Sequence, residues 1–271
     1  MAQKRYDEAE TTLVTGMEAL LTHHQTVSAS ELGQQLIKLY VDTHKSPTDA
    51  TIETIVRHFH GYGLDVDDGR VSFMKAAIKW TIGEGCGGKH GEPRLHDALA
   101  DYYASKGDYG RAQQHYVRGT NPSKFSSMLV EYAKGGNPDE ADLFITRAVL
   151  MYLCLQKQDE AKQVLHAYLA QNSALKTHPT PLINFTHLLL DSFTRSNAQA
   201  LFSLLRKHYT PSLSRDPEFL QYMDQIGSVY YRLQPRANAG GFGFLNDFLK
   251  VFLSPDAAEG GSDSTTTPSS S

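Results

Sequence analysis

The chain has 271 residues, a net charge of −4, 40% hydrophobic and 21% charged residues. That length can bury one large core or two small ones, and the acidic balance argues against a nucleic-acid binder, which carries a basic excess. Two cysteines, Cys86 and Cys154, exclude a disulfide framework or zinc-finger set, no apolar run approaches the ~18 residues of a membrane span, and the start MAQKRYDEAE lacks an apolar signal core, so a cytosolic protein is expected.

Helix signals recur from the first residues onward. YDEA (6–9), YGRA (109–112), PDEA (138–141) and QDEA (158–161) are related segments. Each reads as a helix opening with a polar turn and a small alanine that lets antiparallel helices approach closely. Their spacing is irregular, so the expected fold is all-α, a superhelical α-solenoid of tetratricopeptide-like antiparallel helix pairs in degenerate form. Next, LDVDDGRVSF (64–73) alternates around Asp68-Gly69. It reads either as a short hairpin or as a loop leading into the helix that carries Phe73, Ile78 and Trp80. Asp65, Asp67 and Asp68 resemble a calcium loop, but Ala76 stands where a bidentate glutamate belongs.

The stretch GEGCGGKHGEPRLH (83–96) contains Gly83, Gly88 and Lys89 at the spacing of a phosphate-cradling loop. Its context is wrong for that role. VSFMKAAIKW upstream has helical spacing, His90 stands where a magnesium-binding hydroxyl is needed, and the next helix starts only near Pro93. Cys86, His90 and His96 match no common zinc spacing. The segment is therefore read as a connector, with no cofactor and no metal. No HExxH or GxSxG occurs, and Cys154, inside an apolar helix, reads as an inert core thiol. The expectation is a protein without catalytic residues, and a nucleotide-binding enzyme using residues 83–89 is the rival reading.

PRLHDALADYYASKG follows. Leu95, Ala98, Leu99, Tyr102 and Tyr103 fall on one helical face, and Gly107 stops the helix. Asn121-Pro122, Asn137-Pro138, Thr180-Pro181 and Asp216-Pro217 are each a polar cap followed by proline at the first helical position. Asn137 has Glu140 three residues on, close to a capping box. Residues 143–155 are apolar nearly all round, which predicts a helix enclosed by neighbours. Phe219, Tyr222, Met223, Ile226 and Tyr230 repeat the helical face near the end. Phe242, Phe244, Phe248 and Phe252 make a short amphipathic segment that either caps the solenoid or docks a partner. From Ser254 the chain is polar and low in complexity, which predicts a disordered tail over 254–271.

FMKAAIKW, GKHGEPRLHDALA, SSMLVEYAKGG, DLFITRAVLMYLCL, PLINFTHLLL and YTPSLSRDPEFLQYMDQIGSVYY, in that order, resemble the Golgi to ER traffic protein 4 family, the cytosolic adaptors of tail-anchored protein insertion. The resemblance covers residues 70–253 most specifically. It implies a solenoid over 1–253, with an N-terminal half (1–135) that engages the tail-anchor-carrying targeting ATPase. The C-terminal half (136–253) is implied to hold a partner with a ubiquitin-like domain. In animals the family also joins a larger ubiquitin-like scaffold complex. It implies no catalytic residues, no nucleic acid and no membrane insertion. Members usually carry a further helix pair before the equivalent of YDEAETTL, which bears on the ATPase-binding end.

Contact residues do not follow from the resemblance directly. For the ubiquitin-like partner the candidates are Phe219, Tyr222, Met223, Ile226 and Tyr230, then Phe185 and Leu189; the same face also reads as core. For the ATPase the candidates are Glu31, Asp42, Asp49 and Glu53, which equally fit a solvated face. A tetratricopeptide-like scaffold of another cytosolic complex is the alternative to the adaptor reading.

Overall fold

The computed structural model describes residues 2–63 and 68–234, in which every regular element is helical. The segments 242–252 and 254–271 lie outside the described residues. Helix α1 (Ala2–Thr22) is joined to α2 (Thr26–Asp42) by three residues, so the two run antiparallel. Leu21 at the end of α1 meets Ala29 near the start of α2, and the Tyr40 hydroxyl donates to Glu10 at 2.8 Å across the opposite end of the pair. Next come α3 (Asp49–Gly61), α4 (Asp68–Gly83), α5 (Pro93–Ser105) and α6 (Tyr109–Tyr116). α3 packs on α1 and α5, and α4 packs on α2, so helices touch their next-but-one neighbours as a solenoid requires.

The second part contains α7 (Pro122–Lys134), α8 (Ala141–Cys154), α9 (Gln158–Gln171) and α10 (Ser173–Thr177), then α11 (Pro181–Ser192), α12 (Ala198–His208), α13 (Thr210–Leu213) and α14 (Pro217–Tyr231). α8 is its centre, touching α7, α9, α11 and α14. Residues 148–153 on α8 are buried on every side, which is why its sequence is apolar all round. All described residues belong to one unit, Met1–Arg236.

Local chemistry sets the helix starts. Asn121 Oδ1 accepts from the Lys124 amide at 2.9 Å, Thr180 Oγ1 from Ile183 at 3.4 Å and Asp216 Oδ1 from Glu218 at 2.9 Å. Each occupies an amide the helix leaves unpaired, and the proline behind each cap gives up none. Ion pairs then tie the C-terminal helices together. Arg147 on α8 meets Asp216 at 2.5 Å, and Arg206 on α12 meets Asp224 on α14 at 2.6 Å. Asp142, buried at the start of α8, accepts from Thr180 at 2.7 Å and from Arg215 at 2.8 Å.

The structure corrects two local expectations and decides a third between its two readings. Residues 68–73 are not a hairpin strand but the first turns of α4, with Phe73, Ile78 and Trp80 buried. The helical period of these apolar positions outweighs the brief alternation around Asp68-Gly69. YDEA does not open a helix but lies within α1. Asn137 forms no capping box; it accepts from the Asp139 amide at 3.2 Å and opens a short 3₁₀ turn, Pro138–Glu140, ahead of α8.

Candidate interaction surfaces

The glycine-rich junction was the one segment with the spacing of a chemical site. It leaves the helix α4, not a strand, and Lys89 sits exposed in a 3₁₀ turn, Gly88–His90. Two of its amides are bonded within the turn: Gly85 donates to the Ile82 carbonyl at 3.0 Å and Cys86 to the Thr81 carbonyl at 2.8 Å. The N-terminus of α5, where a phosphate would gain most, already holds a carboxylate. Glu92 Oε1 accepts from the Arg94 amide at 3.4 Å and from Arg94 Nε at 2.6 Å. Burial opposes the Glu92 charge, but these bonds and the Cys86 thiol hold its pKa below the usual carboxylate range. Burial, and then Glu92, push the Cys86 thiol up.

Behind the junction the histidines form a fixed relay between elements. His96 Nε2 lies 2.8 Å from the His90 carbonyl, which can only accept, so this nitrogen carries the proton. His96 Nδ1 then accepts from His115 Nδ1 at 2.8 Å. Burial, followed by nearby Arg118, lowers the pKa of His90 to about 4. Burial chiefly lowers His96 to about 3, and His115 is also well below its ordinary value. His96 and His115 are therefore joined as neutral imidazoles, and His90 enters the relay through its backbone carbonyl. Among the described residues, no three His, Cys, Asp or Glu side chains gather into a group able to hold a metal ion.

The apolar face expected to meet a partner lies inside the protein. Phe219, Tyr222, Met223 and Ile226 are buried, on a helix that packs against α8, α12 and α13. Phe185 and Leu189 are buried in α11, Phe185 with its ring 5.5 Å from that of Tyr209. Tyr230 is half-buried, 4.5 Å ring to ring from Phe193. In this conformation these side chains hold α11 and α14 in place, and a partner on this half would meet their outward neighbours.

Those neighbours include two leucines that the sequence reading passed over. Leu188 on α11 is 47% exposed and Leu204 on α12 is 61% exposed. Both border a groove of about 360 Å³ that Leu201, Leu205 and Arg195 also line. The signals were present: HLLL places three leucines in a row, which cannot all face one core, and Phe202 and Leu204, two positions apart, point to opposite sides of α12. Phe202 takes the inside.

The four acidic candidates are all exposed. Glu31 and Asp42 lie eleven positions apart, on one face of α2, and Asp49 and Glu53 lie four apart on α3. Asp49 is also bonded to Arg94 at 2.9 Å, which ties the start of α3 to the start of α5. Among the described residues no helix is long and apolar enough to cross a membrane.

Comparison with known proteins agrees with this architecture. The family model described as Golgi to ER traffic protein 4 matches residues 3–253. A Golgi to ER traffic protein 4 homolog of Dictyostelium discoideum is 34% identical over 250 residues, covering 92% of this chain and 79% of the relative. A homolog of Homo sapiens is 28% identical over 268 residues, covering 97% and 81%. The crystal structure of C. therm. Get4 has the same fold, with a TM-score of 0.79 at 22% identity over 93% of this chain and 84% of that one. The chain belongs to the Golgi to ER traffic protein 4 family.

Proposed function

We propose that this protein is a non-catalytic cytosolic adaptor in the targeting of tail-anchored proteins to the endoplasmic reticulum membrane. Its C-terminal half receives a partner with a ubiquitin-like domain, and its N-terminal half receives the targeting ATPase. The observation that carries the reading is family membership across residues 3–253. The mechanism is positional. A scaffold whose helices are clamped by ion pairs to buried aspartates holds two partners at one separation, so transfer between them becomes effectively intramolecular. On the C-terminal side the reading is supported by Leu188 and Leu204, two apolar side chains presented to solvent beside one groove. On the N-terminal side Glu31, Asp42, Asp49 and Glu53 offer exposed negative charge to a basic partner surface.

The test is calorimetric titration of the ubiquitin-like-domain partner into the wild-type chain and into Leu188→Asp/Leu204→Asp. Burying the exposed part of each leucine is worth about 1 kcal/mol, so the double variant should bind at least about tenfold more weakly, with an unchanged melting temperature. Undiminished affinity would remove this groove from the assignment. Glu31→Lys/Asp42→Lys should weaken the ATPase alone.

A further inference from the structure

A second groove lies in the N-terminal half, between α2 and α4. Its volume is about 750 Å³. Gln34, Ile37, Lys38 and Val41 of α2 form one wall, at helical spacing. Ser72, Ala76, Lys79 and Gly83 line the α4 side, with Trp80 below. Small side chains on α4 leave the space open, and Ile37 and Trp80 are buried at its floor. Val41 stands 48% exposed at the lip.

Charge distinguishes this groove from an ordinary surface dent. Lys38 and Lys79 rise from opposite walls, both exposed, and neither meets a carboxylate among the described residues. Glu84 lies at one end, but His44 is already beside it, 3.8 Å away. The floor therefore asks for apolar atoms and the two rims ask for carboxylates. The stretch from Ser72 to Gly83 spans eleven positions, or about 16 Å at helical rise, the length of three turns.

We propose that the α2–α4 groove is a docking site for an amphipathic helix of a partner protein, three turns long, with an apolar ridge flanked by acidic residues. The ridge lies over Ala76 and Val41, and its carboxylates face Lys38 and Lys79. This is helix-in-groove recognition with charge setting the choice of partner. It stands on the groove's own shape and charge, so it holds or fails independently of which partner the acidic positions serve.

The test uses a fluorescein-labelled 14-residue helical peptide, leucine at i, i+4, i+7 and i+11 with glutamates on both flanks, and its counterpart with lysines in their place. Anisotropy with the full chain should show the acidic peptide binding at least about tenfold more tightly than the lysine peptide, since two attractions are exchanged for two repulsions. Lys38→Glu/Lys79→Glu should reverse that order. Ser72→Arg, at an exposed position, should block the groove and abolish binding while the circular dichroism melt is unchanged. Ala76→Arg should do the same from a half-buried position. The proposal is overturned if the acidic peptide does not bind, if Ser72→Arg leaves its binding intact, or if both peptides bind alike. It is equally overturned if sedimentation shows a dimer that Ser72→Arg dissolves, because the occupant would then be a second copy of the chain.

Discussion

Acidification from pH 7 to pH 5 should destabilise this protein through its buried imidazoles, and His96 offers the cleanest measure. It is 1% exposed, with both ring nitrogens committed to His90 and His115. Its pKa is about 3 in the folded chain, against about 6.5 when unfolded. A base with a depressed folded pKa takes up its proton in the unfolded state first. Its contribution is therefore intact above pH 6.5 and is lost progressively as the pH falls toward 3. At pH 5 the unfolded state gains about 2 kcal/mol from this one proton, and at pH 4 about 3 kcal/mol. His90 and His115 act in the same direction. Urea denaturation at pH 7, 6 and 5 should show the wild type losing stability, and His96→Gln losing about 2 kcal/mol less across the same interval. A wild type of constant stability from pH 7 to 5, or a variant with an unchanged slope, would refute the neutral buried relay.

The junction itself can be probed with two glycines. Gly85 and Gly87 both have positive φ, 73° and 70°, but a Cβ on Gly85 meets nothing within 4 Å, whereas on Gly87 it would lie 1.9 Å from the Gly91 carbonyl oxygen. Gly85→Ala should cost about 1 kcal/mol and Gly87→Ala at least about 3 kcal/mol by urea titration; equal costs would contradict the tight turn. Asp142→Ala should cost about 2–3 kcal/mol by leaving Arg215 and Thr180 without their acceptor, and adding Arg215→Ala should cost little more, a non-additivity a double-mutant cycle reads directly. Phe219→Ala should lose about 3–5 kcal/mol as a core cavity, while Leu204→Ala stays within about 0.5 kcal/mol; similar losses at both sites would contradict the division between core and surface.

Several features set by neighbouring residues were legible in the sequence. The Asn-Pro, Thr-Pro and Asp-Pro starts of α7, α11 and α14 were found because a cap and a proline act within one turn. The enclosure of α8 followed from its uniform apolarity. The partner candidates on α11 and α14 were ambiguous for one reason. An amphipathic face records that a helix has an apolar side, not what covers it. Phe219, Met223 and Ile226 could face a partner or α8, and only the packing of α14 decides for the interior. Leu188 and Leu204 were the better sign, because an apolar residue on the side opposite a core residue has no neighbour in its own helix pair. Asp142 and His115 went unnoticed for a related reason: their partners are 38 and 19 positions away along the chain.

The central claim is that one scaffold holds two partners at once. Affinity purification of the tagged full chain from its native cell, with the recovered proteins identified by mass spectrometry, tests it most directly. A protein with a ubiquitin-like domain and the targeting ATPase should appear in the same eluate, with Leu188→Asp/Leu204→Asp losing the first and retaining the second. Recovery of neither from the wild-type chain would contradict it.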